Sequence, residues 1–159
     1  MNEAIILIGS NIHPQNNLRD CLVLLMDSIT VIARSRIWRT KSFGSEGPDF
    51  LNIAIKANTI FNEKQLKESV LRKIEYQLGR VRLSNKNAPR TIDLDTIIFN
   101  NIILDNELWE KVFIAVPVAE LKPSLCYPGS ASNLKEIAEE LKSSEQAELF
   151  TLPAGFFPD

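Results

Sequence analysis

The stretch Thr91-Ile92-Asp93-Leu94-Asp95-Thr96-Ile97-Ile98-Phe99 decides how this chain folds. Its β-branched and aromatic residues give it strand character, and Asn100-Asn101 can turn it into a short further strand over residues 102–104. Working outward, the preceding residues 80–89 carry no periodicity, and Asn85, Asn87 and Pro89 favour a mobile loop. Before that loop, Leu66, Val70, Leu71, Ile74 and Leu78 form the apolar stripe of a helix. It opens at Asn62-Glu63-Lys64-Gln65, which resembles a capping box, and Gly79 can end it.

Nearer the start, Ala4-Ile5-Ile6-Leu7-Ile8 is a short continuous apolar run stopped by Gly9-Ser10-Asn11, the pattern of a buried strand entering a turn. After Pro14, Leu18, Leu22, Leu25, Met26 and Ile29 recur at steps of three and four, predicting a helix over residues 14–28. Residues 30–40 read as one strand, residues 41–48 as a polar loop with Gly44 and Gly47, and residues 50–58 as a second strand.

With the stretch at 91–99 as the closing strand, the order is β, α, β, β, α, β. That is the split βαβ, ferredoxin-like arrangement of an α+β protein, an antiparallel sheet carrying both helices on one face. The other face must then be covered or used. Downstream, Pro117, Pro123 and Pro128 are expected to break the chain into short pieces, and Leu134, Ile137, Ala138 and Leu141 mark one last short helix. The residues beyond, through Phe156 and Phe157, carry no assignment.

The 159 residues suit a single domain over 1–159, and a composition 45% hydrophobic and 24% charged is that of an ordinary globular chain. The apolar runs are too short to cross a bilayer and Met1-Asn2-Glu3 lacks a basic leader start, so a cytoplasmic protein without membrane partner is expected. Cys21 and Cys126 show no CxxC spacing and read as two buried apolar side chains. The single histidine, His13, reads as a surface loop residue and leaves no histidine-based zinc site or serine-type triad to assemble. A net charge of −2 and the lack of an RNP-type aromatic strand pattern argue against nucleic acid. No glycine-rich stretch ends in Gly-Lys-Ser or Gly-Lys-Thr, and no GxGxxG follows a strand, which excludes P-loop and Rossmann nucleotide sites.

Side chains alternate along a strand, so Asp93 and Asp95 share one face, roughly 6–7 Å apart along it. Such a pair either faces solvent and nearby arginines, or holds a cation. Carboxylates completed by substrate phosphates are a usual Mg²⁺ ligand set. Between Arg80 and Arg90 the chain carries Arg80, Arg82, Lys86 and Arg90 with no acid, directly before the aspartates. Arginine forks suit phosphate oxygens, so metal ligands on one side and arginines on the other point to phosphoryl transfer.

The run Ala88-Pro89-Arg90-Thr91-Ile92-Asp93-Leu94-Asp95-Thr96-Ile97-Ile98 closely resembles the signature of the 6-hydroxymethyl-7,8-dihydropterin pyrophosphokinase family. Gly9-Ser10-Asn11, Trp38-Arg39-Thr40, Gly47-Pro48-Asp49-Phe50-Leu51-Asn52 and Glu75 ahead of Gly79-Arg80-Val81-Arg82 add to the resemblance, which spans residues 5–128. It implies a ferredoxin-like enzyme that passes the pyrophosphoryl group of ATP to the pterin hydroxymethyl oxygen in folate synthesis, releasing AMP. Asp93 and Asp95 would hold two Mg²⁺ ions. Arg80 and Arg90 would act from the catalytic loop, with Arg82 near the phosphates and Glu75 and Lys111 near the nucleotide. The pterin would lie between Phe50 and Phe113, its polar edge read by Asn52 and the backbone around Thr40 and Phe43. The partners would be these small molecules alone, and a monomer is expected.

Three positions depart from the family. Asn87 stands where an aromatic residue is usual, Lys41 replaces a proline beside the pterin site, and Lys111 replaces an arginine after a shortened stretch, residues 100–110, that has no histidine. Lysine keeps the charge but loses the bidentate fork, so weaker ATP binding is expected. A diverged paralogue that binds a pterin or nucleotide with weak, altered or no kinase activity is the alternative.

Overall fold

The computed structural model describes residues 1–42, 47–81 and 90–159. Among these residues seven strands run β1 Asn2–Ser10, β2 Thr30–Arg34, β3 Ile37–Thr40, β4 Phe50–Thr59, β5 Asp93–Phe99, β6 Ile102–Ile103 and β7 Ala147–Phe150. Helix α1 covers Pro14–Ser28. Helix α2 is built from Glu63–Gln65, a π-helical Leu66–Leu71 and Arg72–Gln77. A 3₁₀ turn at Asn106–Trp109 leads into α3, Val112–Leu121, and α4 covers Leu134–Ser144.

One antiparallel sheet has the order β6-β5-β1-β4-β3-β7, with β2 also paired to β4. Its middle, β5-β1-β4-β2/β3, is the ferredoxin-like core. Strand β1 is continuously apolar from Ala4 to Ile8 because it is central and covered on both faces there. Ile6 and Ile8 face one core with Leu18, Leu22 and Leu25 of α1 and Leu66, Val70 and Ile74 of α2. Ile5 and Leu7 face a second core with Trp38, Ala54, Leu108, Ala115 and Leu134, supplied by the 3₁₀ turn, α3 and α4. The face left open by the first two helices is thus covered by the last two.

The capping box forms as expected. The Gln65 N–H donates to Asn62 Oδ1 at 2.9 Å, and the Asn62 N–H donates to Gln65 Oε1 at 3.0 Å. Asn100 and Asn101 adopt left-handed φ of 48° and 64°, the backbone a tight β5–β6 turn needs. His13 is exposed just ahead of Pro14.

Other expectations need correction. Residues 30–40 form two strands, because the ladder turns irregular at Ser35 and Arg36, although the Ser35 N–H still donates to the Ala54 carbonyl at 2.9 Å. The Ser35 hydroxyl takes a carbonyl's place there, accepting from the Ala54 N–H at 2.9 Å. Pro117 does not end a helix: α3 runs through it, buried on nearly every side, and packing outweighs the local helix penalty. Met26 is 40% exposed, and Cys21 takes its place on the buried stripe of α1. Cys126 is exposed rather than buried, lying in the irregular chain between α3 and α4. Residues 147–150, unassigned from sequence, add a strand to β3. The expected loop over residues 80–89 lies, beyond Val81, outside the described residues.

Candidate active site

At one end of the second core the sheet is left uncovered, and a cleft of about 310 Å³ opens beside β1, β4 and β5. Pairing register places its floor. Gly9 faces Asp93 and Asn52 across β1, and Leu7 faces Asp95 and Ala54. Paired residues project to the same face, so alternation along three strands converges on one surface. Asp93 and Asp95 therefore share a face, as expected, while Leu94 between them is buried in the first core.

Glycine at position 9 has a local reason. A Cβ there would come 3.2 Å from Asn52 Oδ1 and 3.6 Å from Phe50 Cδ1, so the bare backbone is what lets these two side chains lean over the floor. Asn52 is 2% exposed, and its Nδ2 donates to Thr40 Oγ1 at 2.8 Å and the Trp38 carbonyl at 3.3 Å. These bonds fix the amide so that Oδ1 is left as an acceptor turned to the floor. Phe50 and Phe113, both half-buried, line the same cleft with Lys41 and Thr40.

Arg80 sits just past the end of α2, its side chain only 10% exposed. Its Nη1 donates to Glu75 Oε2 at 2.8 Å, to the Ile92 carbonyl at 3.2 Å and to Asp93 Oδ1. Arg90 Nη1 donates to Asp93 Oδ2 at 2.6 Å. Burial alone would raise the Asp93 carboxyl, but the charges and hydrogen bonds of Arg80 and Arg90 outweigh it and hold it below the usual carboxylate range.

Asp95 is placed differently. Its backbone is paired with β1, and its carboxylate faces the cleft. Asp95 is exposed at the cleft, yet the walls on either side strip enough solvent from its carboxyl to push it up to about 7, helped by the charges of Asp93 and Glu75, with Asp105 adding and Arg80 opposing. An acid left at such a cost is a ready cation ligand. Among the described residues no three His, Cys, Asp or Glu side chains converge into a protein-only metal cage. Two carboxylates leave most of a coordination shell to phosphates and water, which fits Mg²⁺ rather than zinc.

Not every expected residue reaches the cleft. Glu75 is 4% exposed beneath β5, where its Oε2 also accepts from the Leu94 N–H at 3.1 Å. Lys111, at the N-terminal boundary of α3, is not among the cleft-lining residues. Arg82 and Phe43, and the departure at Asn87, lie outside the described residues. Conversely, Asp105 and Glu107 line the cleft from the 3₁₀ turn and were not read from sequence. Their signal was the acidic start of that turn, where Asp105 Oδ1 accepts from the Glu107 N–H at 2.9 Å.

Comparison with known proteins shows which family the chain resembles. Residues 5–123 match the family model described as 7,8-dihydro-6-hydroxymethylpterin-pyrophosphokinase (HPPK). The chain is 35% identical over 132 residues to a 2-amino-4-hydroxy-6-hydroxymethyldihydropteridine pyrophosphokinase of Bacillus subtilis, covering 76% of this chain and 78% of that one. A Synechocystis protein of the same name is 29% identical over 149 residues, covering 87% and 75%. The crystal structure of Plasmodium falciparum HPPK-DHPS with pterin and p-hydroxybenzoate superposes with a TM-score of 0.70 at 12% identity. That match covers 90% of this chain but 43% of the Plasmodium chain, and it shows the shared fold. On its sequence match and its ferredoxin-like sheet together, this chain belongs to the 7,8-dihydro-6-hydroxymethylpterin-pyrophosphokinase family.

Proposed function

We propose that this chain transfers the pyrophosphoryl group of ATP to 6-hydroxymethyl-7,8-dihydropterin in folate synthesis, releasing AMP. The observation that carries the proposal is the single cleft that joins Asp93, Asp95 and Arg90 to Phe50, Phe113 and Asn52. It presents phosphate-side and ring-side groups to one substrate pair.

In this reading Phe50 and Phe113 hold the flat ring, and Asn52 Oδ1 accepts from a ring N–H, its orientation fixed by Thr40 and Trp38. The backbone near Thr40 completes that edge. The hydroxymethyl oxygen bonds to the β-phosphorus and gives up its proton to solvent, the bond to the α,β-bridging oxygen breaks, and AMP leaves with that oxygen. Arg80 and Arg90 set positive charge beside the transferring group, and Glu75 holds Arg80 in place. Arg82 and Lys111 serve the nucleotide. Asp93 and Asp95 would hold two Mg²⁺ ions, which neutralise and orient the phosphates when bound.

Incubation with ATP, Mg²⁺ and hydroxymethyldihydropterin is expected to yield AMP and the pterin diphosphate. Absence of AMP at saturating ATP would overturn the proposal. Asp93→Asn and Asp95→Asn are each expected to lower kcat by roughly a hundredfold or more, with the far-UV circular dichroism of the parent kept.

A further inference from the structure

Gly9-Ser10-Asn11 does more than end β1. Asn11 is 3% exposed, and its short side chain binds two separate connections. Its Oδ1 accepts from the Arg90 N–H at 2.7 Å, while its own N–H donates to the Arg90 carbonyl at 3.2 Å, closing a ring around that residue's backbone. Its Nδ2 donates to the Pro48 carbonyl at 3.2 Å, two residues before Phe50. Ser10 Oγ reinforces the same junction by donating to the Thr91 carbonyl at 2.5 Å.

The two ends so joined have different duties. Arg90 carries the guanidinium on Asp93, and Pro48 leads into the strand that presents Phe50 and Asn52. A buried amide that satisfies both cannot give up one partner without leaving a polar group unpaired, which makes the arrangement stiff. Asparagine is suited to this because its amide offers an acceptor and a donor on one short stem. Aspartate keeps the first and lacks the second.

We propose that Asn11 is a positioning residue that sets the backbone of Arg90 and the approach to Phe50 together, so that the phosphate side and the ring side of the cleft are placed by one side chain. This rests on the pyrophosphokinase reading of the cleft. Asn11 touches no substrate in this account and acts through its neighbours.

The test is steady-state kinetics of AMP release by the full chain, with a double-mutant cycle on Arg90. Wild-type turnover is measured first, and its absence would overturn the pyrophosphokinase reading and not the placement of Asn11. Asn11→Ala is expected to lower kcat by roughly 10- to 100-fold, the scale of a misplaced catalytic group, and to raise KM for the pterin. If it acts through Arg90, the kcat losses of Asn11→Ala and Arg90→Ala are non-additive, the double variant being close to Arg90→Ala alone. Additive losses, or unchanged kcat and KM in the single variant, overturn the inference. Should Asn11→Ala fail to fold, Asn11→Asp is read instead. A raised KM for the pterin with less change in kcat supports the split roles of the two amide atoms, and kinetics identical to wild type overturn them.

Discussion

Asp93 and Asp95 lie two residues apart on one strand, yet their surroundings drive them in opposite directions. Asp93 is held below the usual carboxylate range by two arginines, so it contributes stability at neutral pH that is lost as pH falls through its folded pKa. Asp95 is raised to about 7, so its contribution has the opposite sign, present in acid and lost as pH rises through that value. The metal-free protein is therefore expected to gain stability from Asp95→Asn above pH 7 and little below pH 4, measured as the shift in urea midpoint across that interval. In the wild type, divalent-cation affinity should fall from one pH unit above that value to one below it. Binding should release a proton, seen by calorimetry in buffers of different ionisation enthalpy. Strand alternation made the pairing of these carboxylates readable, but not the difference between them. That difference comes from loss of solvent at Asp95 and from the uneven placing of Arg80, Arg90, Glu75 and Asp105 around the pair, and of these only Arg90 stands next to the strand in sequence. Glu75 had a signal of its own: it stands four residues after Leu71 and three before Leu78, on the apolar stripe.

At the scale of elements, the strand order was legible because each segment repeats a local pattern, while the irregularities were not. Nothing in residues 30–40 marks Ser35 as a break, since its role depends on Ala54, nineteen residues away. The Ser35 hydroxyl both accepts from the Ala54 N–H and donates to the Arg36 carbonyl at 2.7 Å. Ser35→Ala is expected to destabilise the fold by about 1–3 kcal/mol, with the urea midpoint as the measurement and kcat the control. Pro117 misleads for the opposite reason. Proline's local penalty is real, but an all-round apolar α3 is held by the layer it fills, and burial is a property of the layer rather than of the residue. The strand at 147–150 is too short and too half-exposed to declare itself; it exists because β3 offers an edge.

Across the whole molecule, the sheet is shared by two cores, and the cleft lies where the second stops short of the strand ends. Its lining runs from Leu7 to Ile114, so local sequence could announce the carboxylates and aromatics but not that Asp105 and Glu107 would join them. The two cysteines divide along the same architecture. Cys21 is sealed in the first core, its thiol pushed far up by burial and by the charge of Glu75, whereas Cys126 lies outside on the surface. A thiol reagent should thus count one equivalent on the native protein and two in denaturant. With Cys126 blocked first, the slow labelling of Cys21 becomes a clock for how often the first core opens to water, read without any substrate.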